Sequence, residues 1–239
     1  MKQKYLLATD LDGTLVGDTL AKNQLFQYFK QHETTIQLVY ITRRQIESAQ
    51  RLIKIENLPL PDVLICDVGS SIYVPLRQNQ LVEDYEWANE IQENWFPSEI
   101  IEIVEEQDLQ LQSNIPHAKR ISISISDESE LKTICQRLTQ TNLTYQFIYS
   151  SSKYLDILPQ NSGKANALSF VLKKYYENEY NVLVAGDSAN DLEMLALGYP
   201  SVIVGNAEEG LQTIKNTPVL YKAKGHYAKG IKEAWEFFY

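Results

Sequence analysis

Residues 5–16 read YLLATDLDGTLV, and the fold turns on this stretch. Tyr5, Leu6, Leu7 and Ala8 form an apolar run of strand length, followed by two carboxylates, Asp10 and Asp12, and then by Gly13 and Thr14. In an open α/β sheet, ligands bind beyond the carboxyl ends of the strands, so both acids fall where a site belongs. Gly13 permits a sharp turn there. Two carboxylates at one strand end repel each other unless a cation or a shared proton lies between them. The natural cation for oxygen ligands of this kind is Mg2+. A strand that simply ends in an acidic Asp-Gly turn is the plainer account of the same residues.

Working outward, Leu25, Phe26 and Phe29 recur at helical spacing within 20–30, and residues 36–41 (IQLVYI) read as a strand ending at Thr42-Arg43-Arg44. A second helical pattern runs through Ile46, Ala49, Leu52, Ile53 and Ile55. Strand, helix, strand, helix is the pattern of a parallel sheet. Residues 63–66 (VLIC) give a third strand, and 72–75 return as a hairpin after a turn at Gly69.

The composition changes near residue 80. From 82 to 112 the chain is acidic and helical, and Pro97 divides it into two helices. Ile121, Ile123 and Ile125 then alternate with Ser122, Ser124 and Ser126, which predicts a strand with one buried face and one face of hydroxyls. A helix over 127–138 and strands over 144–149 and 154–158 follow. The expectation is an inserted, one-sided antiparallel α+β module over 80–158. It interrupts an α/β core made of 1–79 and 159–239.

Three further segments carry chemistry. Thr42 ends the second strand, where a hydroxyl either caps the next helix or holds a phosphate. Gly163-Lys164 opens a helix, so Lys164 is either an exposed helix-start lysine or a phosphate ligand. Residues 181–185 (NVLVA) form a strand that runs into Gly186-Asp187-Ser188-Ala189-Asn190-Asp191, which is too polar for a plain turn. A helix beginning at Ser188 would set Asp187 and Asp191 one turn apart. A last strand over 201–204 and helices over 208–214 and 229–238 complete the chain. In the inserted module, Lys119, Arg120, Lys153 and Asp156 lie on or beside strands.

The 239 residues carry 22 basic and 31 acidic side chains, a net charge of −9. This excludes a general nucleic-acid binder and makes an anionic membrane surface a poor partner. An anionic substrate then needs cations supplied by its own site. Cys66 and Cys135 are too few for a disulfide framework and point to a reducing compartment, the cytoplasm. No stretch has the apolar length of a signal peptide or a membrane span.

DLDGT resembles the DxDxT nucleophile motif of the haloacid-dehalogenase (HAD) phosphatases. DLDGT, Thr42, Lys164 and GDSAND together, in that order, resemble the Cof-like type, which has a cap domain between its second and third motifs. The pieces YSSSKYLDILPQNSGKANAL, GDSANDLEML, VGNAEE and IPHAKRISISIS resemble sucrose-6-phosphate phosphatases of cyanobacteria and plants. The resemblance implies a Rossmann-like core with the 80–158 module as its cap. It implies Asp10 as nucleophile and Asp12 as general acid and base. Mg2+ would be held by Asp10, Asp12 (through its backbone carbonyl) and Asp187, with Asp191 reaching the metal or Lys164. Thr42, Lys164 and Asn190 would serve the phosphate. Lys119 and Asp156 would contact sugar hydroxyls from the cap. The implied substrate is a sugar phosphate, sucrose 6-phosphate first, with glucosylglycerol- or mannosylglycerate-type phosphates as the alternative. Association with the sugar-phosphate synthase of its pathway is implied too. Three positions depart from the family pattern: Arg43 where Gly is usual, Ser71 where Glu is expected, and Tyr154 where Asp is common. A phospho-acceptor signalling domain would also use strand-end carboxylates, but it carries no cap.

Overall fold

In the computed structural model, residues 3–32, 35–76, 80–112, 115–150, 153–176 and 180–239 are described. The opening strand β1 (Tyr5–Asp10) is buried from Leu6 onward on both faces. A strand of that kind belongs at the centre of a parallel sheet with helices on either side. α1 (Thr19–Gln31) starts where the Asp18 carboxylate accepts a hydrogen bond from the Ala21 N–H. β2 (Ile36–Ile41) pairs in parallel with β1 over its whole length. α2 (Ile46–Ile55) and β3 (Val63–Cys66) continue the alternation, and β4 (Ser71–Pro75) turns back antiparallel to β3.

β5 (Leu81–Glu83) pairs with β4 on the large sheet, and α3 (Tyr85–Gln92) packs Trp87 and Ile91 against the large sheet's own core. The separate hydrophobic cluster begins only at Trp95. It contains α4 (Pro97–Glu106), β6 (Gln110–Leu111), β7 (Ile121–Ser124), α5 (Glu128–Thr139), β8 (Tyr145–Ser150) and β9 (Tyr154–Pro159). Pro97 stands in the first turn of α4, where its missing N–H costs nothing. The four strands form one antiparallel sheet in the order β6-β7-β9-β8. Ile121, Ile123, Leu155 and Ile157 turn to the helices, while Ser122 and Asp156 occupy the opposite face.

The chain then returns to the large sheet through α6 (Lys164–Val171), β10 (Asn181–Gly186), α7 (Leu192–Leu195), β11 (Ser201–Ile203), α8 (Glu209–Gln212), β12 (Leu220–Lys222) and α9 (Ala228–Phe238). β11 was expected to be the last strand, but β12 follows it in parallel. The described residues form an eight-stranded sheet in the order β12-β11-β10-β1-β2-β3-β4-β5. One face packs Leu7, Leu25, Tyr40 and Trp235. The other packs Leu6, Ala8, Leu168 and Met194. β1 sits between β2 and β10, where the strand order reverses direction, so the crevice for a ligand opens beyond Asp10. No helix among the described residues is long and apolar enough to cross a membrane, and Cys66 and Cys135 are free thiols.

Candidate active site

At the carboxyl end of β1, Asp10 is buried beneath a cavity of about 440 Å³. Lys164, the first residue of α6, is fully enclosed, and its Nζ donates to Asp10 Oδ1 and to Asp191 Oδ1, each at 2.7 Å. It is therefore a core cation that joins Asp10, 154 positions away in sequence, to Asp191, 27 positions away. Burial pushes the Asp10 carboxyl well above the usual carboxylate range; Lys164 opposes that shift, and Asp191 and Asp187 add to it. Burial alone would depress the Lys164 ammonium, but Asp10 and Asp191 outweigh it and keep the lysine charged.

Asp187 lies just past the end of β10, which pairs with β1. Its Oδ1 accepts from the Thr14 hydroxyl at 2.5 Å. Gly13, at φ +88°, lets the two segments meet: a Cβ there would lie 2.5 Å from Asp187 Oδ2. Asp191 closes a short 3-10 turn, where its Oδ2 accepts from the N–H groups of Asp187 and Ser188 at 2.9 and 3.0 Å. The loop that bears Asp10 and Asp12 is also tied to α9. Asn206 donates to the Gly13 carbonyl and accepts from the Tyr227 N–H, both at 2.7 Å.

Asp10, Asp187 and Asp191 each bring a carboxylate oxygen within 4.8 Å of the others. Three acids face one ammonium, so full ionisation would leave two negative charges uncompensated in a largely buried site. Burial first, and Asp191 next, raise the Asp187 carboxyl to about 6. An all-oxygen, acid-rich cluster of this kind fits a hard divalent cation.

Asp12 points away from that cluster. Its carboxylate takes a fork from Arg44, with Nε at 2.6 Å and Nη2 at 2.8 Å, and it lines the cavity. As a metal ligand it is left with its backbone carbonyl, as the sequence reading had it. Thr42 does not cap α2: Gln45 holds the cap position, and the buried Thr42 hydroxyl accepts from the Arg44 N–H at 3.1 Å. Asn190 lines the cavity with its Oδ1 buried and without a hydrogen-bond partner. A buried acceptor of that kind costs free energy until something meets it.

The two residues expected to reach sugar hydroxyls lie elsewhere. Lys119 pairs with Glu83 at 2.6 Å and does not line the cavity. Its neighbour Arg120 does, because successive residues entering a strand point to opposite sides. Asp156 is completely buried, and its carboxylate is consumed by Arg43, Arg120 and the Ser122 hydroxyl. Sequence reasoning missed Arg44 and Arg120 as site residues. For Arg44, its place just after Thr42 at a strand end was the available signal. Of the three departures, Arg43 and Tyr154 line the cavity, whereas Ser71 is buried and donates to Asp67 at 3.2 Å.

A parallel sheet whose strand ends converge three acids and a lysine, under an inserted antiparallel unit, makes this chain a HAD-type phosphatase fold. A haloacid dehalogenase-like hydrolase protein from Bacillus subtilis superposes at a TM-score of 0.69 with 20% identity, over 98% of this chain and 91% of that one. Within that class the chain belongs to the Sucrose-6F-phosphate phosphohydrolase family, whose model matches residues 3–239. The sucrose-phosphatase of Synechocystis sp. PCC6803, solved with sucrose and phosphate, superposes at a TM-score of 0.88 with 30% identity, covering 99% of this chain and 98% of that one. Probable sucrose-phosphatase 2 of Arabidopsis thaliana is 30% identical over 97% of this chain. A glucosylglycerol-phosphate synthase of Pseudomonas anguilliseptica is 33% identical over 98% of it. The chain spans 58% of the Arabidopsis protein and 30% of the Pseudomonas protein.

Proposed function

We propose that the protein is a Mg2+-dependent phosphatase that hydrolyses a sugar phosphate, with sucrose 6-phosphate as its substrate. The observation that carries this reading is the convergence of Asp10, Asp187 and Asp191 on one acid-rich point beside Lys164. Asp10 attacks phosphorus through a carboxylate oxygen, the bond from phosphorus to the sugar oxygen breaks, and an aspartyl-phosphate forms. Asp12, once out of the Arg44 fork and carrying a proton, gives that proton to the departing sugar oxygen. Water then attacks the aspartyl-phosphate, Asp12 takes the proton, and phosphate leaves while Asp10 is restored. Thr42 and Asn190 present a hydroxyl and an amide to the phosphate oxygens, and Lys164 favours the ionised form of Asp10 against its burial. Asp10, Asp187 and the Asp12 backbone carbonyl would hold Mg2+, which supplies positive charge against the phosphate dianion. Asp191, with both oxygens engaged, orients Lys164 and the Asp187 backbone.

The inserted unit serves as the cap. In our division it starts near Trp95, where its own core begins, and it shields the reacting groups from bulk water. A second reading, a phosphatase for glucosylglycerol phosphate, is favoured by the similarity to the Pseudomonas synthase and by Arg43 and Tyr154 in the cavity wall. That synthase also carries a stretch similar to this chain within a longer polypeptide, which supports association between such a phosphatase and the synthase that supplies it. The two free thiols support a reducing, cytoplasmic setting.

The test is phosphate release from sucrose 6-phosphate, glucosylglycerol phosphate and other sugar phosphates, with Mg2+ and with chelator. Release that depends on Mg2+ and is fastest for sucrose 6-phosphate is the expected result. No release from any sugar phosphate, or full release in chelator, overturns the reading.

A further inference from the structure

Arg43 leaves the end of β2 directly after Thr42, yet its guanidinium reaches the other sheet. Nε donates to Asp156 Oδ2 at 2.6 Å and Nη2 to Asp156 Oδ1 at 3.0 Å, a two-pronged grip on a wholly buried carboxylate. Nη2 also meets Gln112 Oε1 at 3.3 Å, and the guanidinium carbon lies 4.7 Å from the centre of the Tyr154 ring. Asp156 is held from its other side by Arg120 Nη1 at 2.7 Å, and Arg120 Nε returns to the large sheet at Asp67 Oδ1, 3.4 Å away. Arg43, Arg120 and Tyr154 all line the cavity.

The cavity therefore has two unlike ends. One has carboxylates around Asp10. The other is a wall of guanidinium edges, fixed in place and stacked on an aromatic ring, that donates hydrogen bonds and accepts none. Asp156 lies behind that wall and is spent on holding it. The part of a substrate remote from its phosphate meets the wall, whereas a small phosphate ester fills only the carboxylate end. We propose that Arg43 is a specificity-determining residue: held by Asp156 and Tyr154, it selects the sugar portion of the substrate. This rests on the sugar-phosphatase reading above.

The test compares kcat/KM for the better of sucrose 6-phosphate and glucosylglycerol phosphate with kcat/KM for p-nitrophenyl phosphate, in wild-type protein, Arg43→Ala and Arg43→Lys. The ratio of sugar phosphate to nitrophenyl phosphate is expected to fall at least fivefold in both variants. Lysine keeps the charge but cannot make the paired, planar contact, so it is not expected to rescue. Arg43→Lys also retains a long cationic side chain, which keeps the question answerable if Arg43→Ala fails to fold. A ratio that falls less than fivefold in Arg43→Lys overturns the proposal, and so does one that falls less than fivefold in a folded Arg43→Ala. Wild-type protein that cleaves nitrophenyl phosphate but neither sugar phosphate overturns the functional reading and this inference with it. Wild-type turnover of a sugar phosphate with an unmoved ratio in the variants overturns this inference alone.

Discussion

The two sheets each bury a cluster of charges, and they balance them in opposite ways. At the strand ends of the large sheet, Asp10, Asp187 and Asp191 surround Lys164, the one ammonium paired with them among the described residues, and the cluster is short of positive charge. On the polar face of the small sheet, Arg43 and Arg120 meet Asp156 and Asp67, and the charges cancel. A balanced network is complete without a ligand and fixes how two units fit together. An unbalanced one stays costly until a cation joins it, which is how a site is kept ready for one. On the function proposed above, the contrast separates the part of this molecule that does chemistry from the part that recognises the substrate.

That contrast can be broken at either cluster. Asp10→Asn removes the carboxylate proposed to attack phosphorus, at nearly constant shape. Its kcat for sugar phosphate is expected to drop on the order of 10^4-fold or more while the circular dichroism spectrum is preserved. Lys164→Met deepens the shortage of positive charge at the reacting end. The expected loss is roughly 10^2- to 10^3-fold in kcat, read in the same phosphate-release assay, and a folded variant with wild-type kcat would contradict the role given to the lysine. In the balanced network, Asp156→Asn leaves two arginines without their shared counter-charge. Urea unfolding should show a loss of about 3 kcal/mol.

The smallest effect sharpens the comparison through pH. Burial raises Asp187 to about 6 and raises Asp10 as well, so the folded, metal-free protein holds protons that the unfolded chain has lost. Its stability should therefore fall as pH rises from about 4 through 6. A divalent cation relieves that penalty where the acids are ionised. Excess Mg2+ should raise Tm by roughly 5–10 °C at pH 8 and by clearly less at pH 5, measured by thermal scans. Equal shifts at both pH values would mean that the cation binds away from these acids.

Much of this was legible in the sequence where the signal is local. The strand before Asp10, the isoleucine–serine alternation of β7 and the polar run at 186–191 each state their element in a few residues. The short strands β5, β6 and β12 carry no period to detect, and pairing with a neighbour defines them, whereas the equally short β11 stands out by its apolar run. The burial of Lys164 was invisible because its partners lie far away along the chain. Lys119 and Arg120 show the opposite difficulty. The strand was recognised, but the choice between adjacent cations depends on which side of the sheet each one leaves. Asp156 was read as a ligand for hydroxyls because nothing in its neighbourhood reveals that Arg43, more than a hundred residues earlier, already occupies it.

Position 13 carries one further consequence. The early and late halves of the site approach so closely there that a single hydrogen atom is all the space admits, and the backbone angle would strain any other side chain. The place of the Asp187 carboxylate thus depends on the smallest side group in the alphabet. Adding one methyl group would push the Asp187 carboxylate itself out of place while leaving every acid in the sequence.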